Sequence, residues 1–158
     1  HMASLGRRTT ECDTQALLQF VDGQPEADAR RLGAVGYCMS GPFVVWAAAA
    51  FLQRFACIAS IHGANMATAE ADSPHRVAAT LRCESYVACA ETDKWAPPAD
   101  VAQFEAGLKA SGAPYRLEWY PAAEHGFVFP QRPAYHRASA ERHWERLFGL
   151  FERKLRAR

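Results

Sequence analysis

Gly36-Tyr37-Cys38-Met39-Ser40-Gly41 is the stretch of sequence that decides the fold. It joins the apolar segment 31–37 (RLGAVGY) to the segment 39–53 (MSGPFVVWAAAAFLQ), which is apolar nearly all round. The first segment has the composition of a buried strand, and the second that of a buried helix with Pro42 in its first turn. A cysteine on a tight turn between such a strand and such a helix is typical of a nucleophile elbow.

The elbow makes specific demands on its neighbours. The nucleophile occupies a strained turn, so the residues two before and two after it must be small. Gly36 meets this demand fully, and Ser40 meets it less well. Cys38 would present its sulfur at a helix start, where the helix dipole favours a thiolate. The alternatives are that Cys38 is an inert buried thiol, or that Ser40 is the nucleophile, which the cysteine two residues before it disfavours.

Outward from the elbow, short apolar segments alternate with longer helical ones. The strands are predicted over 31–37, 55–61, 84–90 and 115–120, and the helices over 13–22, 39–53, 98–111 and 134–156. The helical periodicity predicts that Leu17 and Leu18 of the first helix and Trp144 and Phe148 of the last face inward. Cys57 and Cys89 fall within apolar strands and are expected in the core. This alternation predicts an α/β fold with three layers, in which a mostly parallel sheet carries helices on both faces. Residues 13–158 would form this single domain, and residues 1–12 a tag-derived and irregular segment.

An elbow nucleophile requires an acid and then a histidine later in the chain, each in a loop after a strand. Asp93 follows the strand predicted over 84–90, and His125 follows the strand predicted over 115–120. Open parallel sheets place their sites at the carboxyl ends of their strands, where these residues would meet Cys38. Glu91 and Glu124 are competing acids.

Several segments resemble the dienelactone hydrolase family of α/β-hydrolases. They are the elbow Gly-Tyr-Cys-Met-x-Gly, Asp72-Ser73-Pro74-His75, Tyr86–Asp93, His125-Gly126-Phe127-Val128 and the run from Tyr135 to Trp144. The resemblance extends from about residue 13 to the C-terminus. It implies a hydrolase of lactones or activated esters, a small-molecule substrate and no cofactor.

The resemblance also assigns roles to individual residues. Cys38 would be the nucleophile, His125 its base, Asp93 the acid that orients His125, and the Met39 N–H half of an oxyanion hole. The residues expected to bind substrate are His62, Gly63, Trp95 and Phe127. His62 is expected to line the pocket or pack rather than to do chemistry, and His75 to be structural.

Two departures from the family pattern qualify these expectations. The family has Gly where Ser40 stands. Family members also carry several strands before the helix over 13–22, with a loop that donates the second oxyanion N–H, and residues 1–12 cannot supply these. The resemblance therefore implies a truncated α/β-hydrolase fold with weak activity. The alternative is a largely inactive hydrolase-like domain that serves as an oligomeric or binding module.

Composition excludes several other classes. With 49% apolar and 22% charged residues and a net charge of +1, the chain shows no basic stripe for nucleic acid and no apolar run long enough for a membrane. Five cysteines without a Cys-x-x-Cys spacing predict no metal, no disulfide framework and a reducing, cytoplasmic location. His136 and His143 could pair on one helix face, but no third ligand is evident. A thiol redox function is disfavoured, because no resolving cysteine stands next to Cys38.

The segment 31–37 also predicts how the chain assembles. Without an N-terminal neighbour it would be an edge strand, and it carries no charge pointing inward and no proline to protect it. Unprotected edges pair readily with another chain. The sequence therefore predicts a homodimer with two-fold symmetry that buries this strand.

Overall fold

A computed structural model describes residues 5–156, so the tag-derived interpretation of residues 1–4 lies outside the described part of the chain. Four strands form one parallel sheet in the order β1-β2-β3-β4. The strands are β1 (Leu32–Tyr37), β2 (Phe55–Ile61), β3 (Glu84–Thr92) and β4 (Tyr115–Glu124). The helices are α1 (Arg7–Asp22), α2 (Gly41–Ala50), α3 (Pro74–Val77), α4 (Pro98–Ser111) and α5 (Arg137–Leu155). The predicted α/β fold with a parallel sheet is confirmed.

Each face of the sheet has its own apolar core. On one face, α2, α3 and α4 pack on the sheet, and the core there includes Ile58 and Val87 of the strands and Phe104 of α4. On the other face, α5 packs on the sheet, and the core there includes Ile61 and Tyr120 of the strands and Leu147 of α5. Because both faces are covered, the strands are apolar on both sides, which explains their near-continuous hydrophobic sequences.

A buried carboxylate fastens α5 to the sheet. Glu118 on β4 accepts hydrogen bonds from Tyr86 of β3 and from Arg116, and its oxygens also pair with Arg142 and Arg146 of α5. Burial alone would raise the pKa of Glu118, but these hydrogen bonds outweigh it and lower the pKa. The carboxylate therefore stays ionised and holds the sheet and the helix together.

Two helices differ from the predictions. The helix predicted over 13–22 begins at Arg7, so residues 7–12 are helical and not irregular. An ion pair between Arg7 and Glu11, one helical turn apart, supports this early start. Trp144 and Phe148 of α5 were predicted to point inward, but they are 43% and 62% exposed and stack on each other with ring centroids 5.4 Å apart.

β1 is an edge strand, as the sequence predicted. It pairs with β2 alone among the described strands, and Val35 near its middle is 37% exposed. A groove of about 500 Å³ runs between this strand and α1. Leu17 of α1, predicted to face inward with Leu18, is 64% exposed along the groove, whereas Leu18 is buried.

No helix within residues 5–156 combines the length and the apolar character that crossing a bilayer requires.

Candidate active site

The turn after β1 has the backbone of a strained elbow. Cys38 has a φ of 54°, in the left-handed region that non-glycine residues rarely adopt. A Cβ on Gly36 would lie 2.1 Å from the carbonyl oxygen of Ser40, so only glycine fits there. A Cβ on Gly41 would lie 2.6 Å from the Cα of Gly63. The turn is therefore closed by glycine at 36 and 41, while residue 40 has room for a side chain.

The structure brings Cys38, His125 and Asp93 together. His125 Nε2 lies 3.0 Å from Cys38 Sγ, and His125 Nδ1 lies 2.7 Å from Asp93 Oδ2. The side chain of Asp93 is 1% exposed and that of His125 15% exposed, while Cys38 is half-buried. A buried carboxylate, an imidazole and a thiol thus form one continuous hydrogen-bonded chain that ends at the sulfur of the half-buried Cys38.

Backbone contacts hold the acid and the base in place. The second oxygen of Asp93 accepts the N–H of Trp95 at 2.9 Å. Glu91 accepts the N–H of Ala122 at 2.7 Å and so fixes the turn before His125, where Ala122 has a φ of 57°. Of the two competing acids, Glu91 therefore supports the loop, Glu124 is exposed, and Asp93 is the one that contacts His125.

His62 lies behind His125 and is not exposed to a substrate. It is 1% exposed, and its ring centroid is 4.9 Å from that of His125. The rings of Phe127 and Phe129 surround its other sides, each at 5.6 Å. Burial, reinforced by the nearby His125, lowers the pKa of His62 to about 4, so its imidazole is neutral at pH 7.

Tyr37, the residue before Cys38, is anchored to α5. His143 is 0% exposed and its Nδ1 lies 2.8 Å from the carbonyl oxygen of Ala140, which can only accept a hydrogen bond. Nδ1 therefore carries the proton, and Nε2 accepts the hydroxyl of Tyr37 at 3.1 Å. No sequence pattern predicted this contact, although Tyr37 belongs to the elbow motif.

The structure places the residues expected to bind substrate in two different environments. His62 and Phe127 are buried in the core, and Gly63 is buried against Ser60 and Gly41, because the ends of β2 and β4 are covered by packing between their loops. Trp95 remains accessible at 48% exposure beside Asp93. A cavity of about 350 Å³ borders the elbow at Met39, and its lining includes Phe43, Trp46 and Asn65 but not Cys38, Asp93 or His125.

The backbone N–H of Met39 lies in the first turn after Cys38. The chain continues there as a 3₁₀ turn over Cys38–Ser40 and then as α2. N–H groups in the first turn of a helix have no partner within the helix and are suited to an anion.

The remaining histidines and cysteines have structural surroundings. His75 bonds the hydroxyl of Ser73 and His136 that of Ser139, so His136 and His143 bond elsewhere and do not pair. Cys57 and Cys89 are buried, as predicted. Burial raises the pKa of each thiol to about 12, with neighbouring thiol or carboxylate groups adding to the shift.

Comparison with known proteins identifies the family. The family model described as "Dienelactone hydrolase family" matches residues 2–155. The chain belongs to the dienelactone hydrolase family. This family member is 26% identical over 147 residues to a Synechocystis protein provisionally named carboxymethylenebutenolidase, covering 91% of this chain and 59% of the relative. It is 28% identical over 128 residues to an Escherichia coli protein with the same provisional name, and the match covers 79% of this chain and 47% of that relative.

Solved structures show the same fold. A provisionally named dienelactone hydrolase from Klebsiella pneumoniae superposes with a TM-score of 0.84 at 23% identity, over 94% of this family member and 62% of that chain. An acylaminoacyl peptidase from Pyrococcus horikoshii gives a TM-score of 0.72 at 20% identity, over 94% and 28%. The chain spans about half to three fifths of the length of the curated relatives that it matches.

Proposed function

We propose that the chain hydrolyses lactones or activated esters with Cys38 as nucleophile, His125 as general base and Asp93 as the orienting acid. The observation that supports this most strongly is the hydrogen-bonded chain from Asp93 through His125 to Cys38, with distances of 2.7 and 3.0 Å. Three residues of the required types, in the required order, meet at the carboxyl ends of parallel strands.

The reaction follows from these positions. His125 Nε2 accepts the proton of the Cys38 thiol, and the thiolate attacks the ester carbonyl carbon. The carbonyl oxygen becomes an oxyanion that the Met39 N–H stabilises. The intermediate collapses to a thioester, while His125 gives its proton to the leaving alcohol. His125 then removes a proton from water, which attacks the thioester and releases the acid and the free thiol.

Asp93 has a supporting role in this scheme. Its Oδ2 accepts the Nδ1 proton of His125, which leaves Nε2 unprotonated and directed at the sulfur. Its Oδ1 is held by the Trp95 N–H, so the carboxylate cannot rotate away. A buried carboxylate also stabilises the imidazolium that forms when His125 takes the thiol proton.

The substrate class comes from the family and the cavity. The curated relatives carry a name that denotes hydrolysis of a lactone. The cavity beside Met39, of about 350 Å³, is within the size range of small-molecule sites, and the stacked rings of Phe43 and Trp46 give it an apolar wall. A small ester or lactone with an apolar group fits this lining.

Turnover of small aryl esters tests the proposal. We expect turnover through the thiolate of Cys38, with the oxyanion held by the Met39 N–H. Cys38→Ala and His125→Ala should each abolish it. Cys12→Ala, which removes an exposed thiol on α1, is the matched control and should retain full activity. Unchanged turnover in Cys38→Ala would assign the activity to another group.

The second candidate function is a largely inactive domain that acts as an oligomeric or binding module. The exposed edge of β1 and the exposed apolar side chains of Leu17 and Phe148 favour it. The two functions are separated by the same assay. The binding-module function would be supported if the wild-type protein is folded and associated but shows no turnover beyond that of Cys38→Ala.

A further inference from the structure

His62 carries three unfavourable features at one position. Its backbone has a φ of 38°, in the left-handed region. Its side chain is 1% exposed, and neither ring nitrogen has a hydrogen-bond partner within residues 5–156. Unpaired buried nitrogens and strained backbone each cost free energy and concentrate at functional sites. A residue of this kind calls for an explanation beyond packing.

The ring of His62 supplies something that the hydrogen bonds of His125 lack. The bonds from Nδ1 to Asp93 and from Nε2 to Cys38 leave the imidazole at nearly opposite sides. Both bonds lie in the plane of the imidazole, so they do not prevent the ring from moving perpendicular to that plane. His62 packs against His125 with 65° between the ring planes, and this contact limits that movement.

The segment that carries His62 also holds the nucleophile. The N–H of His62 donates to the carbonyl of Ala88 on β3 at 2.8 Å, which fixes the end of β2. Two residues later, the N–H of Ala64 donates to the carbonyl of Cys38 at 3.0 Å. One short segment therefore contacts both the backbone of the nucleophile and the ring of the base.

We propose that His62 is a positioning residue, whose ring keeps His125 in the plane in which Nε2 points at the sulfur of Cys38. This inference rests on the proposed function. His62 contacts neither the substrate nor the reacting atoms, and it acts through His125. The low pKa of His62 agrees with this role, because a neutral ring does not oppose the positive charge that His125 gains when it accepts the thiol proton.

The test measures alkylation of Cys38 by iodoacetamide as a function of pH, with the modified peptides mapped by mass. His62→Asn keeps a residue type that tolerates the left-handed backbone but removes the ring, and His62→Phe keeps a ring. Phe129→Leu is the matched control, since Phe129 packs against His62 and Tyr37. His125→Ala gives the rate without any base.

We expect His62→Asn to alkylate about tenfold more slowly than wild type at pH 7, because misplaced catalytic groups lose their effect steeply with distance. At pH 10 hydroxide can replace His125 as the base that takes the thiol proton, so the two rates should converge. A change in access to the sulfur would instead lower the rate at every pH. His62→Phe should recover part of the lost rate, and Phe129→Leu should match wild type.

The outcomes separate this inference from the proposed function. If His125→Ala leaves alkylation at pH 7 unchanged, the proposed pair of Cys38 and His125 fails. If His125→Ala slows it but a folded His62→Asn matches wild type, the positioning role alone is overturned. His62→Asn decides the question even if His62→Phe does not fold.

Discussion

The hydroxyl of Ser40 bonds twice to the backbone of Tyr37. It accepts a hydrogen bond from the Tyr37 N–H and donates one to the Tyr37 carbonyl oxygen, and each donor–acceptor distance is 2.8 Å. These bonds occupy the hydroxyl, so Ser40 is not available as a nucleophile. They also explain how the elbow accommodates a side chain where the family has glycine.

Removing this hydroxyl should cost stability and leave reactivity in place. Ser40→Ala loses both hydrogen bonds, and we expect the free energy of unfolding to fall by about 1–2 kcal/mol in urea denaturation. Cys38 should alkylate at the wild-type rate, since the sulfur and His125 are untouched. Ser40→Thr, which keeps the hydroxyl, is the control. A Ser40→Ala protein as stable as wild type would contradict the bonding role.

The cysteines should alkylate in a definite order. We expect Cys38 to react faster at pH 7 than Cys57 or Cys89. With pKa values raised to about 12, only about one part in 10⁵ of each buried thiol is ionised at pH 7. Cys38 is half-buried and bonded to His125. Mass mapping of iodoacetamide adducts gives the order, with the exposed Cys12 as an internal reference. The elbow interpretation is wrong if Cys38 reacts slowest of the three.

Two glycines should respond oppositely to alanine. Gly36→Ala places a Cβ 2.1 Å from the Ser40 carbonyl oxygen, and we expect a loss of roughly 3 kcal/mol or more in the free energy of unfolding. Gly149→Ala on α5 meets nothing within 4 Å and should stabilise the protein by about 0.5–1 kcal/mol. Thermal unfolding of both variants checks this pair. A well-folded Gly36→Ala protein would show that the elbow relaxes.

Acid should weaken the fold before the carboxylates titrate. Burial lowers the pKa of His62 to about 4 and also lowers that of His143, from ordinary values near 6.5. Between pH 6.5 and 4 the unfolded chain therefore binds protons that the folded chain does not, so stability falls as the pH falls. For His62 the loss from pH 7 to pH 5 is about 2 kcal/mol. Urea titrations across this range should show a shallower dependence for His62→Asn than for wild type. Equal slopes would mean that His62 is protonated in the fold.

The exposed edge of β1 should make the protein a homodimer. We propose that two copies pair along Leu32–Tyr37 about a two-fold axis, because the edge is apolar and its neighbour Leu17 is exposed. Gel filtration with light scattering should give twice the monomer mass. Val35→Lys, which adds a charge to the edge, should give a monomer. A stable wild-type monomer at micromolar concentration would refute the pairing.

The sequence predicted the site better than its surroundings. Cys38, Asp93 and His125 each follow a strand, and a parallel sheet brings the ends of its strands to one edge, so chain order sufficed to predict their meeting. The fates of His62 and Phe127 depended on how the loops after β2 and β4 pack on each other. No local pattern records that packing, so the sequence left open whether His62 lines a pocket or packs, and it placed Phe127 in a pocket instead of the core.

The helices show a second limit. The apolar stripe of α5 is wider than the surface that the sheet offers, so periodicity could not show that Trp144 and Phe148 lie outside it. The start of α1 at Arg7 was missed because residues 7–12 (RRTTEC) are mostly polar. Charge pairing between Arg7 and Glu11 was the available signal.

The hydrogen bond between Cys38 and His125 joins residues 87 positions apart in the chain. Closing so long a loop is entropically costly, and the two ends meet only after β2, β3 and β4 have paired. The fast reaction of the Cys38 thiol should therefore appear late in refolding, after the helices have formed. Pulsed alkylation during refolding would measure when Cys38 gains its fast reaction, and so when the final step of folding occurs.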